Sequence, residues 1–482
     1  MADDYNGPAN WLAADLQDPA PLALALAEAL AQIDIDRVSS RAIDAATLGI
    51  ADTVGVTLLG ATEDVSGVLQ RALAGEIVPG PALLFGGRRR IGMLDAAMFN
   101  GTAAHAADYD DMARNMGGHP SVTLVPVLFA LGEARGASGR QLLEAYIVGF
   151  EAACRLGRVV HPHHYEKGWH PTSTLGVFGA AAAAARLLRL DPARTATALA
   201  LAASMSSGVK ANFGTMTKPF HVGQCCRDGL MAAQLAAGGF TANPRALEHK
   251  QGFFASYDGL ENVHPERMLA QWGELLEIEQ ESVGLKQFPC CGSTHPAIRA
   301  MLGMASQGLR HEDVESIAIT VNRQRLPHTD NPQPQSGLAA KFSVQYVTAR
   351  ALTDGAVRLE HFEGDSHLDP RVRRLMALTS VGAYPETGDD TLNMENKEFA
   401  AHLTVTTRDG RTLSSIAPHA LGRGGANAMN KAEMREKYSD CARRVLPAAQ
   451  AASSFDALWA LRDDAPLQAL TALLETAPPA QP

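Results

Sequence analysis

Segments with helical periodicity and few polar interruptions dominate the sequence between residues 20 and 275. Stretches such as "APLALALAEALAQI", "GRQLLEAYIVGFEAACRLGRVV" and "GVFGAAAAAARLLRL" repeat apolar residues at helical spacing and are punctuated by glycine, proline or aspartate. Several of these stretches are apolar on nearly every side, so we expect buried helices in a large bundle. Their small residues would let neighbouring helices approach closely.

The hydrophobic pattern of the sequence changes near residue 280 from helical to partly strand-like. "ESIAITVNRQ" (315–324) alternates as a strand does, and "AHLTVTTRDGRTLSSIA" (401–417) predicts two strands joined at Asp409-Gly410, a strong hairpin signal. "GLAAKFSVQYVTARAL" and "DPRVRRLMALT", between them, favour helices. We therefore predict a mainly α fold with an inserted α+β domain. The predicted ranges are a helical domain at 1–280, the α+β domain at 281–423, and carboxy-terminal helices at 424–482 that pack back on the first part.

The charge and hydropathy of the chain limit the kinds of molecule that it is expected to bind. The chain has 52 acidic and 42 basic residues and a formal charge of -10, which does not favour binding to nucleic acid. An acidic protein still binds an anionic substrate where lysines and histidines converge in one cleft. The amino terminus lacks the basic start and apolar run of a signal peptide, and the apolar run "VTLVPVLFALG" is far shorter than the roughly 20 residues of a membrane span. We expect a cytoplasmic protein without a membrane span.

Familiar catalytic signatures are absent from the sequence. It contains no phosphate-binding loop, dinucleotide fingerprint, nucleophile elbow or H-E-x-x-H helix, which argues against an ATPase, a dehydrogenase, an α/β-hydrolase and a zinc protease. The six cysteines form two adjacent pairs and two singletons, a spacing that suits neither a disulfide framework nor a zinc site. Reduced thiols and no metal are the expectation.

Four polar clusters lie in apolar or glycine-rich surroundings and are the candidates for chemistry. They are "HAADYDDMARNMGGHPSV" (105–122), "KGWHPTSTLG" (167–176), "GTMTKPFHVGQ" (214–224) and "GLKQFPCCGSTHPAIRA" (284–300). In the first, Asp108 and Asp111 would share one face of a helix, and His119 follows a glycine pair at a loop position. The alternative for this cluster is a solvated helix end.

The remaining candidates each have a functional and a structural interpretation. His170 precedes a proline, and its segment is otherwise a plain helix cap. Lys218 and His221 flank a proline at a helix start, where a lysine suits a carboxylate ligand, unless the lysine is simply at the surface. Lys286 lies at the predicted domain boundary, where ligand clefts form, or in a plain linker. Tyr346 is a further candidate, although an aromatic residue on such a helix is more often core.

Seven segments, taken in order, resemble the MmgE/PrpD family, which includes 2-methylcitrate dehydratase, cis-aconitate decarboxylase and iminodisuccinate epimerase. They are "FNGTAAHAADYDD", "HPSV", "GWHPTSTLG", "GTMTKPFHVGQ", "LKQFPCCGSTHPA", "AKFSVQYVTA" and "GGANAMNKAEMREKY". The resemblance runs from about residue 20 to residue 460. It implies a large helical domain with an inserted α+β lid, a site between the two, a homodimer, and neither metal nor organic cofactor.

The resemblance also implies six site positions. Asp108 matches the first aspartate of D-[YF]-D-D, His119 the histidine of H-P-S, His170 the histidine of the next segment, Lys218 the lysine of K-P-x-H, Lys286 the lysine before F-P, and Tyr346 the tyrosine of Q-Y. His221 and Cys291 are further candidates for substrate contact.

The known reactions of the family make or break a C-H bond next to a carboxylate, and this sets the expected roles. Lys218 and Lys286 would bind substrate carboxylates, and His119 or His170 would move the proton because an imidazole titrates near neutral pH. Asp108 would orient one histidine. Tyr346 would give or hold a proton on the opposite face.

We expect a cofactor-independent dehydratase-like lyase acting on a small di- or tricarboxylate similar to 2-methylcitrate. Met112 and Cys291 depart from the decarboxylase pattern, which has a threonine and a histidine at these positions. Epimerisation of an iminodisuccinate-like dicarboxylate and decarboxylation of cis-aconitate are the alternative reactions. An inactive helical binding protein is the alternative outside enzymes.

Overall fold

The computed structural model describes residues 20–280, 282–384, 400–417 and 429–476. Across these ranges the protein is mostly helical, with a small sheet in the carboxy-terminal region, in agreement with the predicted mainly α class. The described chain separates into two compact units. The helical unit comprises the residues up to Ala106, Asp110–Val283 and those from Lys431; the mixed unit comprises Ala107–Tyr109 and Gly284–Asn430. The predicted boundary at 423 and 424 lies outside the described residues.

The helices and strands are numbered in chain order. The first part of the helical unit contains α1 (Leu22–Ala31), α2 (Ser40–Gly60), α3 (Asp64–Ala72), α4 (Met93–Ala106), α5 (Ser121–Arg135), α6 (Gly139–Val160), α7 (His163–Lys167), α8 (Pro171–Thr174), α9 (Gly176–Leu187), α10 (Pro192–Met205), α11 (Thr217–Ala237) and α12 (Phe253–Tyr257). The mixed unit contains α13 (His295–Ser306), α14 (Leu326–Thr329), α15 (Gly337–Ala340), α16 (Val344–Asp354) and α17 (Pro370–Ala377). The helical unit ends with α18 (Lys431–Ala442), α19 (Ala448–Trp459) and α20 (Leu467–Ala472). The strands are β1 (Pro79–Leu83), β2 (Arg90–Ile91), β3 (Met112–Ala113), β4 (Val283–Gly284), β5 (Val314–Val321), β6 (Thr379–Ala383), β7 (Ala401–Thr407) and β8 (Thr412–Ala417).

Helix α2 is a core helix of the helical unit. Its amino terminus is capped by Ser39, whose hydroxyl accepts a hydrogen bond from the amide of Ala42 at 3.0 Å. By length and composition alone α2 could cross a membrane, although no membrane span was predicted from the sequence. However, 89% of its most apolar 18-residue window is buried inside the protein, as for the core helix of a large bundle.

Glycine allows α4 and α11 to pack closely, as the small residues predicted. A Cβ atom on Gly101 would lie 2.8 Å from the sulfur of Cys226, and one on Gly223 would collide with the Thr102 hydroxyl and the Met98 carbonyl. Bringing these two backbones together places the carboxyl end of α4 near the amino end of α11. Those two helix ends carry several of the candidate residues.

A small β element interrupts the run of helices and was not predicted from the sequence. Strands β1 and β2 pair antiparallel, with Leu83 opposite Arg90. The amide of Leu83 donates to Glu133 at 2.7 Å, and Arg90 forms an ion pair with the same carboxylate at 2.5 Å. Pro79 and Pro81 lack amide hydrogens and cannot continue a helix. The strands are too short for alternation to be visible against the surrounding helices.

A buried ion pair fastens α18 to α2 in the helical unit. Nζ of Lys437 lies 2.5 Å from a carboxylate oxygen of Asp52, and Asp52 is 1% exposed. Burial raises the pKa of Asp52 to about 6 even though Lys437 opposes this shift. Each charge depends on the other, because a buried charge without its partner is costly.

The mixed unit contains the predicted strands in one four-stranded sheet. The strand order is β6-β5-β7-β8; β5 pairs parallel with β6 and antiparallel with β7. The predicted hairpin at Asp409-Gly410 is confirmed: β7 pairs antiparallel with β8, and Gly410 has a φ of 84°. Strand β6 was not predicted, because "TSVGA" follows α17 directly and has little alternation.

We expect Gly223→Ala to lower the free energy of unfolding by about 1–3 kcal/mol, because the added methyl group meets backbone of α4 that cannot move away cheaply. Gly303→Ala is the matched control. It lies within α13, a Cβ there has nothing within 4 Å, and alanine favours a helix by up to about 1 kcal/mol. Thermal unfolding followed by circular dichroism measures both. Unfolding of Gly223→Ala at the wild-type midpoint would contradict close packing of α4 and α11.

Candidate active site

The segment after α4 is a turn rather than a helix, so the predicted helical face shared by Asp108 and Asp111 is wrong. Helix α4 ends at Ala106, and Asp108 has a φ of 51°, in the left-handed region that aspartate tolerates better than most residues. Asp111 instead accepts hydrogen bonds from Ser121, at 3.2 Å from its amide and 2.5 Å from its hydroxyl. Asp111 therefore fixes the amino terminus of α5.

Asp108 and Lys286 lie together in the mixed unit. Nζ of Lys286 is 2.9 Å from a carboxylate oxygen of Asp108 and also donates to the Asp108 carbonyl at 2.5 Å. The hydroxyl of Tyr109 donates to the carbonyl of Gln287 at 2.9 Å. These contacts hold the short segment Ala107–Tyr109 against the residues around Lys286.

A buried carboxylate lies between two imidazoles in the helical unit. One oxygen of Asp110, Oδ2, is 2.9 Å from Nδ1 of His105 and 3.0 Å from Nδ1 of His119. The Asp110 side chain is fully buried, as is His105, whereas the His119 side chain is 16% exposed. Although burial alone would raise it, the neighbouring His105 and His119 hold the pKa of Asp110 well below its usual value. Asp110 is thus a buried anion stabilised by ring nitrogens.

A second pair of histidines adjoins the first. The His170 ring stacks on the His105 ring at a centroid distance of 5.7 Å, and Nδ1 of His170 is 3.2 Å from Nδ1 of His221. His221 lies one turn after Lys218 on α11. Phe213 packs edge-on against His170 at 4.9 Å, and Nζ of Lys218 is 5.5 Å from the Phe213 ring centre. Four imidazoles and a lysine therefore form one cluster, the histidine cluster: His105, His119, His170, His221 and Lys218.

Burial and charge keep the inner imidazoles neutral. Burial lowers the pKa of His105 to about 4, and Lys218 adds to this effect while Asp110 opposes it. Burial, together with His105 and Lys218, holds the pKa of His170 well below its usual value. Burial also lowers the pKa of His221. The inner rings of the cluster are therefore neutral hydrogen-bonding groups that lie near Lys218.

The glycine pair before His119 is required by a close backbone contact. Gly117 has a φ of 66°, and a Cβ on Gly118 would lie 2.7 Å from the amide nitrogen of Thr172. The amide of His119 in turn donates to the Thr172 hydroxyl at 3.2 Å. This contact fixes His119 against the start of α8, which begins directly after His170.

His170 is held from both sides of its backbone. Its amide donates to the carbonyl of Gly208 at 3.0 Å. Its carbonyl accepts from the hydroxyl of Thr174 at 3.2 Å, and that hydroxyl also lies 2.7 Å from Nε2 of His164. Nδ1 of His164 is 2.8 Å from Asp258. The buried chain of Asp258, His164 and Thr174 therefore positions His170 without being part of the histidine cluster.

Within the described ranges, one group of side chains has ligand atoms close enough together to hold a metal ion. It consists of His105, Asp110 and His119. Their ligand atoms lie within 4.8 Å of one another. The 2.9 Å contact of Asp110 with His105 is a hydrogen bond, whereas the 3.0 Å contact with Nδ1 of His119 is a close approach without hydrogen-bond geometry.

Comparison with known proteins assigns the chain to a family. The MmgE/PrpD N-terminal domain matches residues 24–266, and the MmgE/PrpD C-terminal domain matches residues 288–461. The chain belongs to the MmgE/PrpD family. It is similar to the cis-aconitate decarboxylase of Homo sapiens, with 29% identity over 443 residues and 87% of each chain covered. The enzyme of the same name from Mus musculus is 30% identical over 397 residues, covering 79% of this chain and 78% of that protein. That from Aspergillus terreus is 26% identical over 412 residues, covering 80% and 82%.

The predicted residues separate into two groups within this MmgE/PrpD protein. His119, His170, Lys218 and His221 come together in the helical unit. In the mixed unit, Lys286 meets Asp108.

Tyr346 and Cys291 lie elsewhere in the mixed unit. The Tyr346 hydroxyl donates to the carbonyl of His361 and accepts from Nε of Arg350 at 3.0 Å, inside the core. Cys291 is partly exposed, and its amide donates to the carbonyl of Lys341 at 2.9 Å.

His105 and Asp110 were not among the predicted site residues, although both lie in the first polar cluster. A signal was present, since His105 and Asp110 are five residues apart in a stretch rich in histidine and aspartate. Helical spacing predicts contacts three or four residues apart, and the turn after α4 brings together residues that such spacing does not. The carboxylate beside the histidines is therefore Asp110, whereas the sequence pointed to Asp108.

A buried acidic pair supports the loop before His119. The side-chain amide of Asn115 donates to Glu277 at 2.7 Å, and the backbone amide of Glu277 donates to the carboxyl of Glu151. Arg155 lies 3.3 Å from both carboxyl groups. Burial and the nearby Glu277 raise the pKa of Glu151 to about 8, so Glu151 is protonated in the folded protein at neutral pH.

We expect the stability contributed by Glu151 to be lost as the pH rises. Its pKa is raised in the folded state. The stabilisation that it contributes is therefore fully present below about pH 4.5 and is lost as the pH rises through about 8. When the pH is raised from about 5 to about 9, the free energy of unfolding should therefore fall by roughly 1–3 kcal/mol less in Glu151→Gln than in the wild type. Denaturant unfolding at each pH measures this. Glu144→Gln, a partly exposed position on the same helix, should retain the wild-type slope; a wild-type slope in Glu151→Gln as well would refute the assignment.

Proposed function

We propose that this protein is a cofactor-independent lyase of a small polycarboxylate, in which His119 transfers the proton. The observation that carries the proposal is the ionised Asp110 beside His119 Nδ1, with Lys218 close by in the same cluster. A carboxylate on one ring nitrogen fixes the tautomer and leaves Nε2 to exchange a proton with a substrate. Its partial exposure makes His119 the member of this pair that can meet one.

Lys218 supplies the charge that a carboxylate substrate requires. It lies in the first turn of α11, where the helix dipole also favours an anion. His170 and His221 are neutral neighbours that can donate or accept hydrogen bonds without competing for the charge. Such fixed groups stabilise negative charge that develops next to a carboxylate during the reaction.

Decarboxylation of cis-aconitate is the first candidate reaction, because the similar proteins from human, mouse and Aspergillus terreus carry that name. The bond between a carboxylate and the carbon skeleton breaks, carbon dioxide leaves, and the electron pair stays on the skeleton. The remaining carboxylates spread this charge, and the carbon then takes the Nε2 proton of a doubly protonated His119, which leaves the neutral Nδ1-H ring beside Asp110. The product is an unsaturated dicarboxylate, and His119 regains its proton from water.

Dehydration of a citrate-like acid is the second candidate. It is favoured by Met112 and Cys291, which stand where the decarboxylase pattern has a threonine and a histidine. Here a base removes the proton next to a carboxylate while an acid protonates the departing hydroxyl. His119 and a second histidine of the cluster would fill these two roles.

Proton NMR in deuterated water tests the proposal with the purified enzyme and four acids: cis-aconitate, citrate, 2-methylcitrate and iminodisuccinate. Release of carbon dioxide with deuterium in the product supports decarboxylation, and loss of water supports dehydration. Deuterium exchange without net loss would instead indicate an epimerase. The absence of any change with every acid would overturn the proposal.

We expect Lys218→Ala to lower kcat/KM by about 10²–10³-fold, because it removes a fixed charge from the cluster. Lys210→Ala is the matched control. Lys210 lies eight residues earlier, donates to the carbonyl of Tyr165 and lies over the Tyr165 ring. Steady-state kinetics with the acid identified by NMR measure both variants. Wild-type turnover in Lys218→Ala would exclude the carboxylate-binding role.

We further propose that the protein works in the cytoplasm as a homodimer, with Asp108, Lys286 and Tyr346 contributing as the family resemblance implies. Light scattering of the purified protein tests the dimer, and cell fractionation tests the compartment. A monomer with full activity would reject the dimer as a requirement.

A further inference from the structure

We propose that His105 is a positioning residue, which acts on His119 by holding Asp110 in place. The inference rests on the proposed function of His119 and deepens it. His105 would not touch the substrate. Its role would be to aim one oxygen of Asp110 at Nδ1 of His119.

The geometry places both rings on the same atom. Oδ2 of Asp110 lies within hydrogen-bond distance of Nδ1 of His105, at 2.9 Å, and 3.0 Å from Nδ1 of His119, where the angle does not meet hydrogen-bond geometry. The other oxygen, Oδ1, is buried and has no hydrogen-bond partner among the residues that the structure describes. The contact with His105 is therefore the main constraint on the rotation of this carboxylate. Without it, Oδ2 has less reason to face His119.

Burial makes this constraint matter. A fully buried carboxylate stays ionised only where donors compensate for the loss of water. An N-H group of neutral His105 supplies such a donor without adding a second charge. Replacing it with a side chain that cannot reach Oδ2 would both release the carboxylate and make its ionised form less favourable.

The position of His105 separates it from a direct role. Its side chain is fully buried, and its ring makes an edge-to-face contact with His119 at a centroid distance of 4.8 Å and a stacked contact with His170 at 5.7 Å. Its outer nitrogen, Nε2, is buried and has no hydrogen-bond partner within the described part of the chain. His119 is the more exposed of the two rings on Asp110. The proton of the reaction therefore passes through His119.

Charged and titratable groups from several helices surround this arrangement. Around Asp110 and His105 they are Asp52 on α2, Asp111 before α5, His119, His170 at the start of α8, and Lys218 on α11. Among the described residues, the hydrogen-bond partner of Nδ1 of His105 is Asp110, and these other groups act on His105 from a greater distance.

Two substitutions of similar size separate the roles of the two ring nitrogens. The amide of His105→Asn places its N-H group where Nδ1 lies, and the longer His105→Gln places it where Nε2 lies. We expect His105→Gln to lower kcat by about 10–100-fold with KM little changed, and to shift the pH profile of kcat. His105→Asn should recover most of that loss.

The tautomer of His119 gives a second readout that needs no substrate. Nitrogen-15 NMR of histidine-labelled enzyme reports which ring nitrogen carries the proton, with the His119→Gln variant identifying the signal. We expect the Nδ1-H form of His119 in the wild type and in His105→Asn, and a mixture of tautomers in His105→Gln. Thermal unfolding of each variant verifies that it is folded.

Two outcomes would overturn the inference. Equal activity and an unchanged His119 tautomer in both variants would show that His105 does not position Asp110. Equal losses in both variants with an unchanged tautomer would indicate a direct or purely structural role. A wild-type enzyme that transforms none of the acids would refute the proposed function, and the NMR result would still decide the role of His105.

Discussion

The carboxylate of Asp110, buried between two imidazoles, is the interaction on which the arrangement of the histidine cluster depends. It requires α4 to end before the turn, so that His105 faces back toward Asp110. It also requires the glycine pair that brings His119 against α8. A single ionised group without solvent contact thus sets the positions of several otherwise independent elements, because leaving it without donors would be costly.

The same arrangement explains why the proposed anionic substrate is compatible with an acidic protein. The net charge of -10 belongs to the whole chain, whereas the histidine cluster combines Lys218 with rings kept neutral by burial. The negative charge of Asp110 is already compensated by the ring nitrogens beside it. Local desolvation, and not the overall balance of acidic and basic residues, determines the field at this position.

The hydrophobic periodicity of the sequence was sufficient to predict the long helices and strands that bury one side or more of their surface. The buried helices and the β7-β8 hairpin carry their pattern over many residues, and the turn at Asp409-Gly410 has its own signature. Short elements such as β1, β2 and β6 were not predictable, since a few residues carry no reliable period. The family motifs located most of the cluster. They did not distinguish Asp108 from Asp110, because that difference depends on one left-handed residue and on which of two compact units each carboxylate joins.

The ion pair between Asp52 and Lys437 has a consequence for synthesis on the ribosome. Its two members belong to one unit but come from opposite ends of the described chain, with the whole mixed unit between them in sequence. While the chain is growing, Asp52 and the face of α2 that receives α18 are made long before their partner. The helical unit cannot close its core as a nascent chain in the order in which its helices emerge, whereas the mixed unit, contiguous apart from three residues, can. Helix α2 can therefore pack against α4 early in synthesis, but its face toward α18 stays without its partner until nearly the whole described chain has been made.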